Sequence, residues 1–295
     1  MRSKTFFYFS LLITVVIFVA LIYAVQPFKI LNAIQNLRPD LVLIAFLIYP
    51  VSFILRGVRF EIIMKEIGYR AGYGFAVMAV AISQTLNVIT PVRVGDLGRA
   101  YIYKRREIPY QSSLSCLAAE RIYDVIAIIL IALFSIVFVS LEFLDILIYA
   151  AAFLLLVLIV VIILSRTRGY VARIMIDTKS VVFSGNTLKL LPISLCIWLM
   201  DVLTCYIIVQ SFAAVSLPLP AFAVAAGNIA KTLPITPGGI GTYEATVTLI
   251  LSTKLPNDQA LVVSFVDHAI KNVSTLVMGL VSSLKLGISF KDVRV

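Results

Sequence analysis

An all-α membrane protein with several spans, assembled from two related halves, is the fold that the sequence predicts, and three observations carry it. The first is composition: 61% of residues are apolar and only 14% are charged, whereas a soluble domain carries about 25% charged residues. The backbone of such a chain satisfies its own polar groups inside helices or against protein, because lipid offers no partners. The second is the length of the apolar runs, several of which reach the roughly twenty residues that cross a bilayer as a helix. The third is an internal echo. The stretch Thr85-Leu86-Asn87-Val88-Ile89-Thr90-Pro91-Val92-Arg93-Val94-Gly95 returns as Thr232-Leu233-Pro234-Ile235-Thr236-Pro237-Gly238-Gly239-Ile240-Gly241 with one residue of slip, and Glu120-Arg121 returns as Asp267-His268. Their offsets, 146 and 147, are close to half of the 295 residues. Agreement of two landmarks on one period indicates duplication, with repeats at about 1–142 and 143–295 inside one transmembrane domain covering 1–295. Internal repeats are a recurring construction of membrane transporters.

Full-length spans are expected at 5–25, 40–60, 113–140, 144–164, 188–213 and 259–285. The first follows Arg2 and Lys4 and resembles a signal peptide, but its apolar stretch is long for one and no clear cleavage pattern follows, so it reads as a retained span. Two stretches behave differently. Residues 73–90 run apolar into Thr90-Pro91, and 220–235 run apolar into Thr236-Pro237-Gly238-Gly239 before a short second piece at 240–253. Both read as broken or re-entrant hairpins.

Charge in the connections orients the spans. Residues 93–107 hold Arg93, Arg99, Lys104, Arg105 and Arg106 against Asp96 and Glu107, and 166–189 are similarly basic, which places both in the cytoplasm. Residues 141–145 and 214–219 contain no base and suit the outside. A full crossing at 73–90 would turn Lys104-Arg105-Arg106 outward, against that rule, and a re-entrant segment removes the conflict. Each half then contributes three crossings and one hairpin, the halves are inverted relative to each other, and both termini are cytoplasmic. The net charge of +10 is explained by these loops and by contact with anionic headgroups and does not call for nucleic acid. Cys116, Cys196 and Cys205 fall in apolar runs without metal-like spacing and read as packing residues.

Charged residues inside spans cost about 2.5–3.5 kcal/mol each on insertion scales and face a bundle interior or a wet cavity. Glu120, Arg121 and Asp124 share one side of a helix, and Asp267, His268 and Lys271 occupy the corresponding depth of the last helix. The pairs either form matching polar steps for a headgroup, one in each leaflet, or glue helices together as neutralised ion pairs. Pro237, Gly238, Gly239 and Gly241 break the chain and free backbone amides for an anion, with Lys231 and Glu244 adding charge there. In the first half Arg93, Asp96 and Arg99 stand at the matching place, and Arg93 and Arg99 are by chemistry good phosphate partners. Asp201 has no evident sequence partner. His268 reads either as a packing residue or as a proton carrier. No metal-ligand spacing, nucleotide loop or nucleophile motif is present, so neither cofactor nor enzymatic activity is expected.

These motifs resemble the flippase-like transmembrane family named after lysylphosphatidylglycerol synthase. The resemblance rests on Asn87 with Pro91-Val92-Arg93-Val94-Gly95-Asp96 and Arg99, on Glu120-Arg121 with Asp124, and on Thr236-Pro237-Gly238-Gly239-Ile240-Gly241 with Glu244, in order over nearly the whole chain. It implies a membrane unit that moves a modified phospholipid between leaflets, while a separate soluble domain, for which this chain has no room after its last span, performs aminoacyl transfer. Asp267-His268 departs from the arginine-containing motif that relatives more often present. The expected function is translocation of an anionic or modified lipid across the cell membrane. Two alternatives are a scaffold or partner subunit for a lipid-modifying or glycosyl-transferring enzyme, and a secondary transporter of a small polar solute.

Overall fold

The structure, a computed structural model, describes residues 27–90, 94–139, 169–231 and 236–288, together with isolated positions elsewhere. The spans expected at 5–25 and 144–164 lie outside the described residues, as do Pro91 and Arg93. Among the described residues the regular structure is helical throughout: α1 (Pro27–Gln35), α2 (Pro39–Ile48), α3 (Val51–Glu66), α4 (Tyr73–Ile89), α5 (Val94–Lys104), α6 (Tyr110–Val139), α7 (Tyr170–Val182), α8 (Thr187–Val209), α9 (Pro218–Ala230), α10 (Thr242–Leu251) and α11 (Asn257–Leu286).

Among the described residues, four helical segments are long and apolar enough to cross a membrane: α2 running into α3 (Pro39–Glu66), α6, α8 and α11. They coincide with the expected spans at 40–60, 113–140, 188–213 and 259–285. The apolar helices α4 and α9 are shorter, and each runs into a break followed by a second arm, α5 or α10. Two further helices, α1 and α7, fall in segments read as connections. α7 buries Ala172, Ile174, Thr178 and Val181 and packs against α6.

The break between α9 and α10 is closed by local chemistry. Gly238, Gly239 and Gly241 have φ of 63°, 75° and 93°, values that L side chains rarely adopt, and the amide of Gly241 is taken up by Glu244 Oε2 at 2.6 Å. Within each hairpin a glycine lets the arms touch. A Cβ at Gly95 would strike the carbonyl oxygen of Ser83, and one at Gly227 would come within 2.8 Å of Val247 and 2.9 Å of Tyr243.

The halves interlock. α4 packs against α11, and α9 packs against α6, so each hairpin's first arm lies on the long helix of the other half. The Pro237–Gly239 turn reaches α4, where Gly238 sits beside the Val88 carbonyl. Apolar packing forms two cores. One gathers α3, α4, α5 and the first part of α6 around Phe60, Met64, Ile82 and Tyr103; the other gathers α8 to α11 and the later part of α6 around Cys205, Phe222, Tyr243 and Val247. Along α6, Glu120, Arg121 and Asp124 fall where it passes from the first core to the second. The charges therefore occupy the seam.

Candidate functional site

A cavity of about 130 Å³ opens at this seam. α3 supplies Arg56 to its wall and α4 supplies Asn87. α6 gives Arg121, α8 gives Trp198 and Asp201, and α11 gives His268 and Lys271; Asn228, Lys231 and the Thr236–Gly239 turn complete the lining. Four cations, Arg56, Arg121, Lys231 and Lys271, face one carboxylate, Asp201, in that wall.

Carboxylates stand behind the cations. In the first half Arg59 is fully buried and binds Glu120 Oε1 at 2.9 Å and Asp124 Oδ1 at 2.8 Å. Arg99, also fully buried, donates to Glu120 Oε2 at 2.6 Å. Arg121 reaches Asp96 at 3.1 Å and Asp124 at 3.2 Å, and Trp198 Nε1 donates to Asp124 Oδ1 at 3.1 Å. Three arginines thus meet three carboxylates, which removes the net charge that would make such a cluster untenable in a low dielectric. Burial works against the charge on Asp96, which lies on α5 outside the spanning helices, yet Arg121, Arg99 and a hydrogen bond from Asn87 hold its carboxyl below the usual carboxylate range.

A second cluster, on α8, α10 and α11, is built with weaker bases. Lys271 donates to Asp267 Oδ2 at 2.8 Å and to the Tyr243 hydroxyl at 3.0 Å, while Tyr243 donates to the same carboxylate at 2.6 Å. Asp201 lies 3.9 Å from both Lys271 and Arg56, and the Arg56 guanidinium lies over the Trp198 ring at 5.3 Å. The Asp201 partners missing from the sequence reading are therefore on α11 and α3. His268 Nδ1 meets Glu244 Oε1 at 2.7 Å. Glu244 with His268, and Asp96 with Arg121, join a second hairpin arm to a long helix at offsets of 148 and 147 residues.

Several expected site residues take different places from those read in the sequence. Arg99, expected among the phosphate partners, does not line the cavity: it lies between Glu120 and the Phe60 ring. Glu120 and Asp124 are likewise buried behind the wall, as are Asp267 and Glu244. Arg121, Lys231, Gly238, Gly239, His268 and Lys271 do line it. Arg121 of the first cluster and Lys271 of the second line the same cavity. Arg56 and Arg59 escaped the sequence reading. Their spacing of three within an apolar run, on the buried side of α3, was the available signal.

Among known proteins, the profile of the family described as lysylphosphatidylglycerol synthase TM region matches residues 7–279. The chain is similar to glycosyltransferase AglD of Haloferax volcanii, with 31% identity over 95% of this chain and 54% of that protein, so it spans about half the length of that relative. It is also similar to UPF0104 membrane protein MJ1595 of Methanocaldococcus jannaschii, with 23% identity over 87% of this chain and 88% of that protein.

Proposed function

The chain belongs to the lysylphosphatidylglycerol synthase transmembrane-region family, and from that premise we propose that it translocates a lipid with an anionic headgroup across the cell membrane. The observation that carries this reading is the cavity wall: four cations and one carboxylate at the seam of two interlocked halves. Paired carboxylates behind Arg121 and Lys271 hold those cations in the interior, and a phosphate entering the cavity competes for them while its acyl chains remain in lipid. Desolvation of the headgroup is otherwise the barrier to crossing.

The equivalent pairs Asp96–Arg121 and Glu244–His268 support two repeats with one hairpin each, and the basic connections at 93–107 and 166–189 support an inverted arrangement with both termini cytoplasmic. Rocking of one repeat against the other alternates access to the cavity. On this reading the protein is a carrier and not an enzyme, working passively or on an ion gradient. The Haloferax relative bears the name of a glycosyltransferase and is about twice as long as the aligned region, which favours as a second reading a membrane partner for a lipid-modifying or glycosyl-transferring enzyme.

The two readings separate in vesicles. In proteoliposomes carrying a fluorescent anionic lipid, wild-type protein is expected to expose inner-leaflet label to a membrane-impermeant quencher much faster than empty vesicles. Arg56→Gln, which removes one cavity cation, is expected to slow exchange by about tenfold while remaining monodisperse. Exchange at the rate of empty vesicles, over several lipids and imposed pH gradients, would leave the partner reading in its place.

A further inference from the structure

The cavity wall carries a second set of groups besides its cations. Asn87 donates through Nδ2 to Asp96 at 3.1 Å, and Asn228 donates through Nδ2 to the Val224 carbonyl at 2.8 Å. In both amides the bond is made on the nitrogen side; Asn228 Oδ1 is a buried acceptor without a hydrogen-bond partner among the described residues, whereas Asn87 Oδ1 lies against Gly95. Asp201 Oδ1 is in the same condition as Asn228 Oδ1, with Arg56 beyond hydrogen-bond distance at 3.9 Å. Asn228 and Asp201 are 1% and 2% exposed. Leaving a buried acceptor unmatched costs about 1–3 kcal/mol, so two of them, on Asn228 and Asp201, in the wall of one cavity call for a ligand that brings donors.

That requirement narrows the ligand. A bare phosphate brings acceptors only and leaves Asn228 Oδ1 and Asp201 unmatched. An aminoacylated headgroup brings ammonium donors, but it enters against Arg56, Arg121, Lys231 and Lys271. Hydroxyl groups donate without adding positive charge. A phosphate joined to a polyol or sugar satisfies both sets, the phosphate among the cations and the hydroxyls on Asn228 Oδ1 and Asp201. By the measure in which one water needs about 10–15 Å³, the cavity holds on the order of ten water-sized groups, room for a single sugar ring but not for an oligosaccharide.

We infer that the cavity recognises a polyol phosphate, a lipid headgroup in which one sugar or cyclitol ring is attached to a phosphodiester. This rests on the reading of the cavity as the headgroup site. Asn228 is then a specificity residue: it contacts the ring and not the phosphate.

The test measures binding of diacyl lipids that share their tails to purified protein in detergent, by quenching of its single tryptophan, Trp198, which lies in the cavity wall. The probes are phosphatidylinositol, phosphatidic acid, glucosyl diacylglycerol and lysylphosphatidylglycerol, with glucose 1-phosphate as a competitor free in solution. Phosphatidylinositol is expected to bind at least tenfold more tightly than each of the other three lipids. Asn228→Leu is expected to erase about tenfold of its advantage over phosphatidic acid, and a thermal midpoint matching wild type reports an intact fold. Equal binding of phosphatidylinositol and phosphatidic acid, or tighter binding of lysylphosphatidylglycerol, overturns the inference and leaves an anionic-lipid site standing. Failure of every lipid to bind overturns the headgroup reading itself. Competition by glucose 1-phosphate at the affinity of the lipid keeps the polyol phosphate chemistry but overturns its lipid source.

Discussion

Arg59→Met is expected to prevent most of the chain from accumulating as a folded membrane protein. Arg59 is fully buried and holds Glu120, Asp124 and Ser194 together from a third helix. Methionine matches much of its length but removes the charge and both forks of the guanidinium. Glu120 then retains Arg99, and Asp124 retains Arg121 and Trp198, so that three carboxylates share two arginines. Breaking a buried pair by deleting one partner costs about 3–5 kcal/mol, because an uncompensated charge remains inside; that is a large fraction of the stability of most domains. The measurement is the monodisperse fraction after detergent extraction, together with the thermal midpoint of what survives. Arg59→Lys restores charge but not the bidentate geometry, and an intermediate result is expected. A midpoint for Arg59→Met within a degree or two of wild type would show that the cluster does not hold α3, α6 and α8 together.

Lys271→Met is expected to abolish lipid exchange with a smaller loss of stability. Its ammonium group is the shared partner of Asp267 and Tyr243 and faces Asp201 across 3.9 Å. Without it, the wall that presented four cations and one carboxylate keeps three cations, and Asp267 loses its counter-ion. The Tyr243 hydroxyl still donates to that carboxylate at 2.6 Å, which relieves part of the penalty that Arg59→Met incurs in full. Addition of Asp267→Asn removes the stranded charge, so the double variant is expected to recover wild-type stability and still fail to exchange lipid. Recovery of both properties would mean that Lys271 serves only to neutralise Asp267.

The long spans were legible because each is a sustained apolar run, and the hairpin breaks were legible from Pro91 and from the Pro237-Gly238-Gly239 stretch. Helices α1 and α7 were missed for the opposite reason: they are short, interrupted by polar or charged residues and stabilised by packing on α11 and α6. For the site, the ionisable residues inside spans were visible one by one, since charge in an apolar run stands out. Their pairing was not. The link from Arg59 to Glu120 bridges 61 residues and that from Arg59 to Ser194 bridges 135, and nothing in local spacing encodes either. Arg99 shows the same blindness. Its guanidinium chemistry suited a phosphate ligand, but burial against Phe60 and Glu120 fixes it behind the wall. Arg56 and Arg59 were passed over because basic residues near the end of a span are usually topology signals, and only the fold reveals that α3 turns them inward.

The account stands on one cavity serving both sides of the membrane, and two-sided accessibility tests it most directly. Thr275 lines the cavity on α11 and is buried. Thr275→Cys, placed in protein whose Cys116, Cys196 and Cys205 are replaced by alanine, is to be treated with a membrane-impermeant maleimide in right-side-out and in inverted vesicles. The account predicts labelling from each side, slowed in both orientations by an anionic lipid that occupies the cavity. Labelling from one side alone, unchanged by lipid, would contradict it and leave the cavity a one-sided pocket.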